Sequence, residues 1–195
     1  MSTHSASHGT GARRHLVSDT VVGDVVHQED VVTSPFLRQI LAAGRIFIGF
    51  TFLWAFIDKL FGLGYATPSE RAWINGGTPA QGFMKNIEGP TSGFFSSIAG
   101  PWADWLFMAG LLGIGVAMIV GAGLKLAAWS GTLLLALMWV AEFPIGQAGM
   151  GFNNPLVDSH WIEAALLLIS AYSLSGDTWG LGRWWSRIAG NGWLR

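Results

Sequence analysis

Four stretches of the chain are apolar over most of their length. They run from about residue 40 to 61, from 105 to 120, from 126 to 143 and from 157 to 174. A helix rises ~1.5 Å per residue, so about 20 residues cross the ~30 Å hydrocarbon layer of a bilayer. The pattern therefore predicts an all-α membrane protein, a four-transmembrane-helix bundle whose fourth span is short.

The connections between these stretches differ in length. Only residues 121–125 separate the second stretch from the third, which predicts a tight antiparallel hairpin. Residues 62–104 separate the first from the second, although packed helices are commonly joined by about two to eight residues. Helix-start signals at Ser69 and at Thr78-Pro79 indicate that this long loop is partly helical. We expect its short helices to lie over the outer end of the bundle as a cap.

Both ends of the chain differ from the membrane domain at residues 35–178. Residues 1–34 are polar without sustained periodicity, which is typical of a mobile tail. No metal-ligand spacing recurs among its histidines, so solvated side chains are favoured over a metal site. These histidines are His4, His8, His15 and His27. In residues 179–195, tryptophans alternate with arginines, as in segments that lie at a membrane interface.

Composition supports the membrane class and excludes several functions. The chain has 195 residues, of which 51% are hydrophobic and 12% charged, and eleven are tryptophan. The net charge is -1, whereas nucleic-acid-binding proteins are commonly basic, so we expect no nucleic acid as a partner. The expected partners are the lipid bilayer and other protein subunits. The absence of cysteine excludes thiolate catalysis, disulfides and Cys-ligated clusters.

The distribution of positive charge predicts the orientation. Lysines and arginines concentrate before the first span, in the short hairpin and after the last span, which places both termini in the cytoplasm. These residues are Arg13, Arg14, Arg38, Arg45, Lys125, Arg183, Arg187 and Arg195. The long loop and residues 144–159 then lie on the opposite side.

With this topology, all four helices bring ionisable groups to the same outer level. These groups are Asp58, Lys59, Asp104, Glu142, His160 and Glu163. Charged groups within a membrane are costly and commonly mark functional sites. Groups at span ends also reach water easily, and a pair between Lys59 and Glu142 would satisfy their burial without a function. Both interpretations stay open.

The functional interpretation is a proton-handling or redox pocket. His160 can move a proton near neutral pH, with Glu163 or Glu142 as its partner, while Lys59 holds an anion beside Asp58. Five tryptophans, Trp54, Trp102, Trp105, Trp139 and Trp161, can line a flat site for a quinone ring. Three of them, Trp54, Trp139 and Trp161, are the predicted cofactor-binding residues. His160 and Glu163 also have the spacing of metal ligands, but a di-iron site needs a second motif, so a proton relay is favoured over a metal.

Two segments resemble a known family. The first span opens with GRIFIGF at residues 44–50 and closes with Asp58-Lys59, and the long loop contains WINGGTPAQGF at residues 73–83. Over residues 39–175 the chain resembles the DoxX/DoxD superfamily of small membrane proteins. The resemblance implies the large subunit of a thiosulfate:quinone oxidoreductase, which oxidises thiosulfate to tetrathionate together with a small subunit in the plasma membrane of a prokaryote. It implies no residue-level catalytic assignment.

Two functional hypotheses follow. The first is an oxidoreductase subunit that passes electrons from a small reduced anion to a membrane quinone. The second is a noncatalytic accessory subunit of a larger respiratory or redox complex. A stripe of small residues on the second span offers a contact surface for such a complex. The stripe consists of Ala109, Gly113, Ala117 and Gly121. A small-molecule carrier is less favoured, because four short spans give little indication of two alternating gates.

Overall fold

The computed structural model describes residues 24–143, 145, 154 and 156–195, and the regular structure within them is helical. The α-helices are α1 (Gln28–Val31), α2 (Pro35–Phe61), α3 (Pro79–Asn86), α4 (Ser92–Ile98), α5 (Pro101–Val120), α6 (Leu124–Glu142), α7 (Ser159–Tyr172) and α8 (Gly182–Ala189). Short 3-10 helices cover Ser69–Arg71, Trp73–Asn75 and Ser175–Asp177.

Three of these helices, α2, α5 and α6, are long and apolar enough to cross a membrane. The all-α membrane class predicted from the sequence is therefore supported. The fourth predicted span is corrected, because α7 has only 14 residues and extends ~21 Å at ~1.5 Å per residue. It is short because the Asp158 side chain caps its first turn, and Leu174 adopts a left-handed conformation with φ 53° after its last turn.

Local sequence signals explain the ends of the spanning helices. Pro35 occupies the first turn of α2, and the Ser34 hydroxyl accepts a hydrogen bond from the Leu37 amide at 3.3 Å. This start lies five residues before the predicted one. Gly121 and Gly123, with φ of 78° and 70°, make the tight connection from α5 to α6 and confirm the predicted hairpin.

The four longest helices close into a bundle. Helix α2 packs against α5 and α7, and α6 packs against the same two helices. Gly115 permits the close approach of α5 to α2, because a Cβ there would lie 2.7 Å from the Leu53 amide nitrogen. In the predicted small-residue stripe, by contrast, Ala109 and Gly113 are exposed, and a Cβ at Gly113 would meet open space. Those two residues do not mediate contacts inside the bundle.

Residues 24–34 are held by the other end of the chain, although the sequence predicted a mobile tail over 1–34. The Asp177 carboxylate accepts hydrogen bonds from the Gln28 amide at 2.9 Å and from Arg195 Nη2 at 3.0 Å. It also lies 3.3 Å from Nδ1 of His27. Residues 1–23, with the other three tail histidines, lie outside the described residues.

Candidate functional site

A largely apolar cavity of about 320 Å³ lies between α3, α4, α5 and α6, with the end of α2 at its side. Its largest lining side chains are Phe83, Met84, Phe94, Phe95, Trp102, Phe107 and Met138. Pockets that bind small ligands commonly have ~300–1,000 Å³, apolar walls and a few polar groups that orient the ligand. The volume and lining of this cavity meet both conditions.

Among the described residues that line the cavity, Lys59 is the one with a charged side chain. It lies in the last turn of α2 and is partly buried. Among the described residues it forms no ion pair, so the predicted pair with Glu142 is not found there. An ammonium group in apolar surroundings is stabilised when it gains a hydrogen-bond acceptor. The cavity therefore suits a ligand with an apolar body and one acceptor oxygen.

The neighbouring Asp58 contacts the chain that follows α2. Its carboxylate is 2% exposed and accepts hydrogen bonds from the amides of Tyr65 at 3.3 Å and Ala66 at 3.0 Å. These bonds hold the turn after α2 and account for the burial of Asp58 without a catalytic role. They also fix the end of the helix from which Lys59 extends.

One wall of the cavity is held in place by Asp104, from the first turn of α5. This buried carboxylate accepts hydrogen bonds from the amides of Ala80 at 2.7 Å and Gln81 at 2.9 Å, and from the Gln81 side chain. The sequence favoured Thr78 as the residue that starts α3, but its side chain makes no capping bond. Asp104 thus caps α3, which carries Phe83 and Met84 into the cavity wall.

A second group of ionisable residues lies at the start of α7. Nδ1 of His160 lies 2.8 Å from Oδ2 of Asp158, whose Oδ1 accepts a hydrogen bond from the His160 amide at 3.1 Å. A carboxylate only accepts hydrogen bonds, so Nδ1 carries the proton and donates it in a hydrogen bond to Asp158, which in the neutral ring leaves Nε2 as the acceptor. Glu163 lies one turn further along the helix and is partly buried. Asp158 therefore fixes both the ring orientation of His160 and the position of its proton.

Two of the three predicted cofactor-binding tryptophans meet beside this group. The rings of Trp139 and Trp161 pack edge to face with centroids 5.4 Å apart. Trp54 lies elsewhere, with its ring centroid 5.2 Å from that of Tyr65. None of the three belongs to the lining of the apolar cavity, whereas Trp102 does.

The predicted site residues thus divide between several places. Lys59 lines the cavity, Asp58 holds the following turn, and His160 and Glu163 lie on α7 beside Asp158. Glu142 ends α6 and is partly exposed. Among the described residues, no group of three or more histidine, aspartate or glutamate side chains is placed to hold a metal ion.

Sequence reasoning missed the cavity walls and the role of Asp158. The sequence predicts short helices in the long loop, but hydropathy does not indicate that a space is left between them and the spanning helices. Asp158 was visible as the polar residue before an apolar run, which is a capping signal. That signal identifies the helix start and does not reveal the contact with the imidazole.

Comparisons with known proteins add no assignment. No protein-family model matches the chain, and no curated protein or solved structure is significantly similar to it. The resemblance to the DoxX/DoxD superfamily stays a prediction from the sequence.

Proposed function

We propose that this chain is the integral membrane subunit of a quinone-linked oxidoreductase of the thiosulfate:quinone type. The observation that carries the proposal is the apolar cavity with Lys59 as its one charged lining residue. The quinone ring occupies this cavity, and Nζ of Lys59 donates a hydrogen bond to one quinone oxygen. Apolar side chains around the ring exclude water and favour a lipid-soluble ligand.

The chemistry requires two electrons and two protons for each quinone that is reduced to a quinol. Two thiosulfate anions supply the electrons when they join through a new sulfur–sulfur bond to form tetrathionate. Negative charge develops on the quinone oxygens during reduction, and the Lys59 ammonium stabilises it. Electrons reach the quinone by direct contact with the donor or through a redox group on a partner subunit.

Protons are handled by the residues at the start of α7. His160 accepts or donates a proton at Nε2, Asp158 holds the ring, and Glu163 and Glu142 are its carboxylate partners. The ring pair Trp139 and Trp161 shields this group from lipid.

The proposal includes a topology. Helix α7 completes four membrane-inserted helices, and α3 and α4 lie on the extracytoplasmic side. Lysines and arginines concentrated at the other end place both termini in the cytoplasm. The membrane is the plasma membrane of a prokaryote, as the family resemblance implies.

Quinone binding tests the proposal directly. The purified protein in lipid nanodiscs is titrated with a short-chain naphthoquinone while tryptophan fluorescence quenching is recorded. Lys59→Met should raise the Kd about tenfold or more, since a hydrogen bond to a charged group contributes ~1.5–3 kcal/mol. Lys85→Met is the matched control, because Lys85 is exposed on α3 and lies outside the cavity lining. Equal Kd values for both variants would refute the quinone site.

Turnover is tested in proteoliposomes that contain thiosulfate and quinone. Thiosulfate-dependent quinone reduction by the chain alone, or together with a small subunit, supports the oxidoreductase. Quinone binding without turnover in either preparation leaves the binding site intact and refutes the thiosulfate reaction.

The second candidate function is a noncatalytic accessory subunit of a larger respiratory or redox complex. The exposed Ala109 and Gly113 on α5 favour it, because a Cβ at Gly113 would meet open space. Another helix can approach closely at such a surface. Gly113→Leu should release the partner during purification in mild detergent, as seen by mass determination. An isolated chain that reduces quinone at the full rate argues against this function.

A further inference from the structure

The segment that contains α4 is uncharged. Residues 89–100 include no aspartate, glutamate, lysine, arginine or histidine, although they lie in the connection between α2 and α5. Connections that face water normally carry charged residues. The flanking parts of this connection do so, with Glu70, Arg71, Lys85 and Glu88 all exposed.

One face of α4 is apolar and exposed. Phe94 and Ile98 are four residues apart, so they lie on the same side of the helix, and they are 63% and 36% exposed. Phe95 points the other way and is 6% exposed, against the inner cluster with Met84. The helix therefore has a packed side and an apolar outer side.

The outer side of α4 continues the surface of a membrane-spanning helix. Trp102 and Leu106 of α5 are 56% and 65% exposed, and they border the same cavity as Phe94 and Ile98. In water, adjoining large apolar side chains of this kind would form an unfavourable exposed patch. Helix α5 is itself long and apolar enough to cross a membrane, so its exposed side chains beside α4 are expected to contact lipid.

The hydroxyl groups of this segment are all paired within the protein. Its hydroxyls belong to Thr91, Ser92, Ser96 and Ser97. Each donates a hydrogen bond to a backbone carbonyl. Thr91 bonds to the carbonyl of Ala141 and Ser92 to that of Gly89, while Ser96 bonds to that of Met84 and Ser97 to that of Phe94. A segment in hydrocarbon must pair its polar groups internally, since lipid chains offer no partners.

We infer that α4 lies among the lipid acyl chains of the leaflet next to Lys59, with Phe94 and Ile98 directed into the lipid. The short helices of the long loop thus do not all cap the bundle in water. Helix α4 and the first turns of α5 form the rim of an opening from the cavity into the bilayer. If the proposed quinone function holds, the quinone enters sideways through this opening.

The absence of native cysteine makes a direct test possible. Single cysteines are introduced as Phe94→Cys and Ile98→Cys, labelled with a nitroxide and reconstituted into vesicles. Power-saturation electron paramagnetic resonance then compares collisions with oxygen, which concentrates in lipid, and with a water-soluble nickel chelate. Leu133→Cys is the lipid control, since Leu133 is 62% exposed on the spanning helix α6. Glu70→Cys is the water control, because Glu70 is exposed on a 3-10 turn.

The expected result is high oxygen and low nickel accessibility at positions 94 and 98, as at position 133. Nickel accessibility equal to that at position 70 would overturn the inference. Low accessibility to both reagents would also overturn it, because a protein surface and not lipid would then cover α4. The measurement involves no quinone, so its outcome is independent of the proposed function. Both substituted side chains are exposed, and each position provides a separate readout if one variant folds poorly.

Discussion

Nη2 of Arg45 donates a hydrogen bond to the carbonyl oxygen of Trp179 at 3.0 Å, from within a membrane-spanning helix. The same guanidinium bonds to the carbonyls of Thr178 at 3.2 Å and Ile119 at 2.9 Å. It is fully buried, and among the described residues its partners are backbone carbonyls without a carboxylate. Arg45 thus joins α2 to the end of α5 and to the segment after α7.

Replacing this arginine should destabilise the bundle. Arg45→Met leaves buried carbonyls without donors, and we expect a loss on the order of 3 kcal/mol in the free energy of unfolding. The measurement is reversible unfolding in mixed micelles. Arg187→Met on the exposed side of α8 is the control and should change stability by less than ~0.5 kcal/mol. Similar losses for both variants would contradict the structural role of Arg45.

Two glycines in the α5–α6 connection should respond differently to the same change. Gly121 and Gly123 both have positive φ, but a Cβ at Gly121 would lie 3.0 Å from Arg45 Nη1, whereas one at Gly123 would meet open space. Gly123→Ala should cost ~1–2 kcal/mol for the left-handed conformation alone. Gly121→Ala should cost more, because the guanidinium must also move. Equal melting temperatures for the two variants would show that contact with Arg45 is unimportant.

Removing the charge of Asp104 should loosen the wall of the cavity. Asp104→Asn keeps the shape but weakens the cap on α3, at a cost of ~1–2 kcal/mol. Hydrogen exchange at the Ala80 and Gln81 amides should become faster, and the Kd for the naphthoquinone should rise. Glu88→Gln, at an exposed position, should change neither quantity. Unchanged exchange at the two amides in Asp104→Asn would be inconsistent with the cap.

His160 and Lys59 should affect different kinetic quantities. His160 lies outside the lining of the cavity, so His160→Gln should leave the quinone Kd unchanged while turnover falls ~10²-fold or more. Asp158→Asn should also lower turnover, because the carboxylate that holds the proton on Nδ1 of His160 is lost. Lys59→Met should mainly raise the Kd. A rise in Kd with His160→Gln would place the imidazole in the quinone site.

Acid should release the segment before α2. A hydrogen bond from its own backbone amide and one from Arg183 hold the pKa of Glu29 below its ordinary value of 4.5. Because the folded pKa is lowered, the stabilisation is complete above the ordinary value and is lost as the pH falls through the lowered one. The hydrogen-exchange protection factors in residues 24–34, which are corrected for the intrinsic pH dependence of exchange, should therefore fall below about pH 4.5. Glu29→Gln should reduce this pH dependence, and an unchanged profile would contradict the assignment.

Only part of the candidate site could be predicted from the sequence. Lys59 and His160 stand out because ionisable residues are rare in apolar stretches, and in the structure Lys59 lines the cavity and His160 contacts Asp158. The walls of the cavity consist of ordinary apolar residues such as Phe83 and Phe94, so nothing in their local sequence distinguishes them from core residues. The cap that Asp104 places on Ala80 joins residues 24 positions apart and follows from packing alone.

The sequence by itself determined the helical class, three spans and the tight turn between α5 and α6, because hydropathy, capping residues and glycine conformation act over a few neighbouring residues. Only the tertiary structure decided that residues 24–34 contact Asp177 and that Arg45 is buried among carbonyls. Each of these depends on partners distant in the chain. A buried charged or polar group needs hydrogen-bond partners, and packing brings these from distant parts of the chain. The residues next to it in the sequence therefore do not reveal where it lies.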